Sequence, residues 1–312
     1  MSKNIVYPYV MFTQFIDEPI LKRHSLFFDS IYISELRLSN ILNTDPTTLK
    51  EEFKSLAYER TIWEFLIDNQ IVKTYPFSLK YDNPANDEEA NVLIQEFLSL
   101  MPQSDSTETN KNLTEEDIKN NEQKALNHFF LSHDISVRLD SINLRKKYNE
   151  EFYPALRTNS SFNSVDKKSE IIQFLLNDIP EPALNTPWEE IIEFRSDEDV
   201  KNKYLALINW INKTAISASS LSDIKDEYEY LYNDYMKHFK LHKLKYNNTL
   251  LEVMVTAGAG ILMAFQAGEF ISPFKNLLQM NLSHIKLLEE EAKLPGKEVA
   301  YIYHAKKQFV KD

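Results

Sequence analysis

The chain has no cysteine among its 312 residues, and this single absence removes disulfides, thiolate metal sites and cysteine nucleophiles together. A reducing compartment is the expected setting. Glycine is almost as scarce: only Gly258, Gly260, Gly268 and Gly296 are present. Everything before Gly258 therefore lacks a glycine-rich phosphate loop, which excludes Rossmann and P-loop fingerprints. No apolar run reaches the roughly 20 residues a helix needs to cross a bilayer. The longest weakly charged stretch, Val253 to Ala267, reads as a buried helix, and no membrane partner is expected. The first residues carry neither a basic segment nor a long apolar core with a small-residue cleavage site, so the expectation is a mature N-terminus at Met1 and a cytoplasmic location. No repeat of solenoid period is visible.

Positive charge is also in deficit. Lysine and arginine number 35 against 47 acidic residues, a formal net charge of -12, which disfavours a general duplex-binding protein that must neutralise phosphates. The hydrophobic fraction of 43% and aromatic fraction of 12% are those of a chain that can build a sizeable core. The length favours two structural units.

Hydrophobic periodicity supplies the elements. Ile5 to Val10 is β-branched and aromatic and contains Pro8, which suits an edge strand or the end of one. Helical spacing from about Glu18 to Phe27 and a second strand at Asp29-Ser-Ile-Tyr-Ile-Ser complete a strand, helix, strand opening. If these strands pair in parallel, the crossover should be right-handed. Asp45-Pro46 starts a helix that ends near Asp68, Ile71 to Tyr75 is a third strand, and Asn86 to Leu100 is a helix with an acidic first turn.

Residues from about Pro102 to Asn121 are polar, with only Leu113 and Ile118 among the aliphatic residues, and read as a flexible linker or loop. Glu122 to Tyr148 is helical in pattern. The short apolar run at 170–176 fits a strand or a helix, and a strand returning to the N-terminal sheet is favoured. Thr186-Pro-Trp-Glu and Ser196-Asp-Glu-Asp are helix starts, the second leading into an apolar face of Val200, Tyr204, Leu207, Ile208 and Ile211. Ser222-Asp223 opens a long helix towards Tyr246, and Thr249 begins the apolar one. The expected class is α+β, predominantly α-helical. A small N-terminal sheet with its helices (1–101) is followed by the linker (102–121) and a larger helical region (122–312).

Candidate chemistry is sparse. His238 and His242 share a helix line with Asp234, a spacing that could hold a metal. The pattern is not H-E-x-x-H, and His242 falls within the apolar arc of Ile224, Tyr228, Leu231, Tyr235 and Tyr246, so core or boundary histidines are preferred and no metal or cofactor is called for. Lys237, Lys240, Lys243 and Lys245 form a basic patch that suits a helix C-terminus, with a phosphate or nucleic-acid contact as the sharper reading. Asp29 enters an apolar run, where a turn or cap role competes with a catalytic one. Arg195 ends a short helix, where a structural ion pair is the simpler role. His128 and His133 do not share a face well, and Asp134 with Arg138 reads as an intrahelical ion pair. Thr256, Gly260, Ala264 and Gly268 recur every fourth residue, a small-residue ridge for close helix packing.

Tyr7-Pro8-Tyr9, Leu26-Phe-Phe-Asp29-Ser-Ile-Tyr-Ile, Pro180-Glu-Pro182 leading to Trp188-Glu-Glu-Ile-Ile-Glu-Phe194-Arg195, and Tyr301-Ile-Tyr-His-Ala-Lys-Lys-Gln-Phe309 together resemble an uncharacterised bacterial protein family of unknown function. The resemblance implies a bacterial cytosolic protein and no chemistry. From the residues, the favoured function is an interaction or regulatory protein without a recognisable catalytic motif, acting with a protein partner or as a homo-oligomer. Nucleic acid is the less favoured partner. The alternative is an enzyme acting on a phosphate-containing substrate or nucleic acid, in a defence or toxin context, with Asp29, Arg195, His238 and His242 as its candidate residues.

Overall fold

The computed structural model describes residues 2–7, 18–35, 42, 54–76, 87–100, 132, 134–156, 167–242, 244, 290–291 and 293–310. The fold is α+β and predominantly helical, with one small parallel sheet. Two compact units are present: Met1–Ser169 with Glu181–Asn185, and Glu170–Pro180 with Thr186–Asp312. Among the described residues no helix is long and apolar enough to cross a membrane.

The first unit holds the sheet. Its elements in chain order are β1 (Lys3–Val6), α1 (Glu18–Phe27), β2 (Ser30–Ser34), α2 (Lys54–Asp68), β3 (Val72–Tyr75), α3 (Glu88–Leu100), the helix α4 (134–148) and β4 (Glu151–Pro154). Strand order is β3-β2-β1-β4, with every neighbouring pair parallel. The register aligns Ile5 with Ile31 and Tyr153, and Val6 with Tyr32. Because β1 is paired on both sides, it is a central strand and not an edge strand, the first of the two placements that Pro8 suggested; β1 ends at Val6, and Pro8 itself lies outside the described residues.

Both faces of β1 are buried because side chains alternate across a strand and helices cover each side. Val6, Tyr32, Tyr75 and Phe152 pack with Val137 and Leu144 of α4. On the other face Tyr7 meets His24 of α1, and Phe28 lies against Tyr153 with ring centroids 5.9 Å apart. The chain thus winds outward through β2 and β3, then returns to place β4 on the far side of β1.

Without glycine in this unit, the left-handed positions that end helices fall to other residues. Gln70 (φ 58°) follows α2, where Gln70 N–H donates to Ile67 O at 2.9 Å and Ile71 N–H to Leu66 O at 2.9 Å. This is the Schellman pattern, closed by glutamine instead of glycine. Asn149 (φ 54°) plays the corresponding part after α4, just before β4.

Two buried polar pairs tie α1 down. Lys22 is fully buried, and its ammonium lies 2.7 Å from Glu18, itself 3% exposed. Lys22 also donates to Leu184 O at 2.9 Å, and Tyr58 Oη donates to Glu18 at 3.0 Å. His24 Nδ1 lies 2.5 Å from Tyr7 Oη. Burial, and secondarily the positive charge of Arg23, push the His24 imidazolium down to about 3. The neutral ring therefore accepts the phenolic hydrogen.

That depressed value gives a pH dependence. The unfolded chain takes up a proton at His24 near pH 6.5 and the folded chain only near pH 3. The stabilisation is complete above 6.5 and is lost progressively as pH falls towards 3. From this residue alone we expect a loss of about 1.4 kcal/mol per pH unit within the window. His24→Phe should flatten the urea-unfolding stability profile of the first unit between about pH 6 and 4. A slope as steep as that of the parent would locate the acid sensitivity elsewhere.

The second unit is helical throughout its described residues. Residues 170–176, favoured above as a returning strand, belong to the helix α5 (Lys167–Leu176), which buries Ile171, Ile172 and Leu175. The apolar run served two periodicities equally, and packing against a helical core selected the helix. The remaining elements are α6 (Trp188–Ser196), α7 (Glu198–Ala215), α8 (221–242), a 3-10 turn at Lys297–Val299 and α9 (Ala300–Phe309).

Leu207, Ile208 and Ile211 of α7, Ile224, Tyr228 and Tyr235 of α8, and Tyr301, Ile302 and Ala305 of α9 form the interior. No side chain caps α6, whose flanking residue is Pro187 and not Thr186. Asp197 caps α7 by accepting from Val200 N–H at 2.9 Å. Ser220 and Asp223 cap α8 reciprocally: Asp223 accepts from Ser220 N–H at 2.9 Å, and Ser220 Oγ accepts from Asp223 N–H at 3.2 Å. This is a capping box with aspartate in the usual glutamate place.

Candidate functional site

The residues singled out from the sequence are divided between the units: Asp29 belongs to the first, and Arg195, His238 and His242 to the second. Asp29 sits in the turn between α1 and β2; its carboxylate accepts from Lys3 N–H at 2.7 Å, and its own N–H donates to Lys3 O at 2.7 Å. It splices β1 to β2 at the amino ends of the strands, whereas open parallel sheets bind ligands beyond the carboxyl ends. Arg195 stands in the last turn of α6, where a cation suits the negative helix end.

His238 Nδ1 bonds its own helix, at 2.9 Å from Asp234 O, and lies 3.2 Å from the Asp234 carboxylate. His242 is half-buried, and its Nε2 makes no hydrogen bond among the described residues. Glu227 accepts from Trp210 Nε1 at 3.1 Å. Among the described residues no three histidine or carboxylate side chains gather as a metal site. Lys237 and Lys240 are exposed, while Lys243 and Lys245 lie outside the described residues, as do His128, His133 and the ridge Thr256, Gly260, Ala264 and Gly268.

A different constellation is assembled in the second unit. Helices α6 and α7 are joined by one extended residue, Asp197 (φ -61°, ψ 129°). The bend brings Glu190 and Glu193 of α6 together with Asp197 and Asp199 at the start of α7. The opposite wall is α9, whose His304, Lys307 and Gln308 stand three and four residues apart on one face. Between them lies a cleft of about 430 Å³, with Phe194 and Val200 as its apolar part. Phe194 is fixed by Phe309, with ring centroids 5.2 Å apart, and by Tyr301 at 5.8 Å.

His304 is held from behind. Glu291 Oε1 lies 3.3 Å from His304 Nε2, 3.3 Å from Tyr235 Oη and 3.2 Å from Lys203 Nζ. Tyr235 Oη is also 3.0 Å from His304 Nε2. Lys203 extends the chain of contacts to Asp199, one helical turn before it on α7.

Burial opposes ionisation of Glu291, but hydrogen bonds from His304 and Lys203 and their charges outweigh it and hold the carboxyl at about 2. Burial first, then the Glu291 charge, raises the Tyr235 phenol well above its ordinary value. Glu291 is thus an acceptor and Tyr235 a donor at neutral pH. His304 Nε2 faces both the Glu291 carboxylate and the Tyr235 hydroxyl, and these two contacts fix the orientation of the ring.

Electrostatically the cleft is anionic, with four carboxylates against Lys307. Asp197 is committed to its cap and Asp199 to Lys203. Glu190 and Glu193 make no ion pair among the described residues. The arrangement can therefore receive an ammonium or guanidinium between Glu190 and Glu193, across the cleft from the His304 imidazole.

None of Glu190, Glu193, Lys203, Tyr235, Glu291 or His304 was read from the sequence as a site residue: Tyr235 was placed in an apolar arc, and Glu190, Glu193 and His304 fell only within the segments that carry the resemblance. The one local signal was the i, i+4 spacing of Asp199 and Lys203. Tyr235 and His304 are 69 positions apart, and nothing in periodicity joins them. Comparison with protein-family models, curated proteins and solved structures finds no match for this chain.

Proposed function

We propose that this is a bacterial cytoplasmic interaction or regulatory protein whose second unit receives a cationic group in the cleft between α6, the start of α7 and α9. The observation that carries the reading is the pair of uncommitted carboxylates, Glu190 and Glu193, opposite an imidazole already oriented by Glu291 and Tyr235. A site whose polar wall is fixed before the ligand arrives loses little entropy on binding.

The net charge of -12 supports the same sign of ligand, since the field of the whole chain draws cations towards it. The alternative, an enzyme acting on a phosphate-containing substrate or nucleic acid, is disfavoured at this cleft because the substrate would face its carboxylates at close range.

Spermidine, a flexible organic cation, is the probe. Isothermal titration of the full chain at low ionic strength should give saturable binding that weakens as salt is added. Glu190→Gln/Glu193→Gln should weaken it at least about tenfold with an unchanged far-ultraviolet circular dichroism spectrum. Equal binding by parent and variant would refute this use of the cleft.

A further inference from the structure

We infer that the cationic group the cleft receives is supplied by a second copy of this chain, through the exposed face of α8. At about 100° per residue Tyr230, Lys237, Lys240 and Leu241 of that helix fall within one arc, and Leu244, just beyond its described end, continues the spacing three residues after Leu241. The opposite side carries the buried Ile224, Tyr228, Tyr235 and Phe239. The apolar members of the outer face are well exposed: Tyr230 68%, Leu241 56% and Leu244 60%. A helix of an acidic protein thus shows water a stripe combining leucine with lysine, and Lys237 and Lys240 make no ion pair among the described residues.

The cleft is the complement of that stripe in both respects. Glu190 and Glu193 offer uncommitted carboxylates to the two lysines, and Phe194 offers apolar surface to the leucines. A lysine matches the cleft because its long apolar stem can lie on Phe194 while its ammonium reaches the carboxylates. Since donor and receiver are different patches of one surface, copies join through a heterologous contact, or exchange two such contacts about a two-fold axis. At long range two chains of charge -12 repel. Association therefore depends on local pairing, and its response to salt alone is not diagnostic. The inference rests on the cleft reading and is tested separately from it by exchanging charges.

Sedimentation velocity of the full chain should show concentration-dependent self-association that spermidine reverses. Lys237→Glu/Lys240→Glu should weaken association at least about tenfold while keeping spermidine binding. Glu190→Lys/Glu193→Lys should lose both. An equimolar mixture of the two variants should associate again, because the reversed cleft of one then faces the reversed helix of the other. A chain that binds spermidine yet stays monomeric overturns the inference and leaves the cleft reading standing. Self-association that survives either reversal, or a mixture that fails to associate, overturns it as well. Absence of both spermidine binding and association removes the two readings together.

Discussion

Gly296→Ala should unfold or severely loosen the second unit, lowering its stability by about 2–5 kcal/mol. Gly296 has φ 75° and lies directly against α8; a Cβ built there would stand 2.1 Å from Leu231 O and 2.9 Å from Tyr235 N. Both obstacles are helix backbone, so no rotamer change can relieve the overlap. The left-handed conformation adds its own cost for any residue with a Cβ.

The consequence reaches the cleft, because Gly296 lies between Glu291 and the 3-10 turn that opens α9. Displacing this turn from α8 separates Glu291 and His304 from Tyr235, and the imidazole loses its orientation. Thermal unfolding monitored by near-ultraviolet circular dichroism should show the loss through the tyrosines of α8 and α9. Spermidine binding should fall with it. A variant melting within a degree of the parent would mean that the turn can move off α8 at no cost.

The second large effect belongs to the first unit. Lys22→Met should cost about 3–5 kcal/mol, since it leaves the Glu18 carboxylate buried and without its counter-charge. Glu18→Leu should be comparably harmful by leaving the Lys22 ammonium uncompensated. The double variant Glu18→Leu/Lys22→Met should recover most of the loss, because well-packed apolar groups replace both charges and neither ion remains to be desolvated.

Recovery should be incomplete. Leu184 O loses the donor that bonds it at 2.9 Å and, on a residue 64% exposed, exchanges it for water, at the net worth of one hydrogen bond, about 0.5–1.5 kcal/mol. Urea denaturation of the three variants closes a double-mutant cycle whose coupling energy should be large. Strictly additive single effects would show that the two groups do not act as a pair. Because the chain has two compact units, the transitions should be followed by probes assigned to each one.

Local chemistry was readable wherever the determining residues are neighbours in the chain. The helix read from about Glu18 to Phe27 is α1 over Glu18–Phe27, and the run after Asp29 is β2 over Ser30–Ser34. The apolar faces of α7 and α8 follow from periodicity, since one stripe of each helix must leave water. Asp29 behaves as the turn residue its position suggests.

Other readings required partners that the chain order does not reveal. Whether β1 is an edge or a centre depends on β4, which arrives after more than a hundred residues. Whether 170–176 is strand or helix depends on the core that receives it.

The sequence by itself determined the fold class, the lack of glycine loops and thiol chemistry, and the anionic character, because these are sums or short-range periodicities. Only the tertiary structure decided the strand order and the cleft. Charges on α6, α7 and α9 share a site only when the bend at Asp197 and the turn at Gly296 bring distant segments to the walls of one cleft. Such interactions act over a few ångströms in space, whatever the separation along the chain.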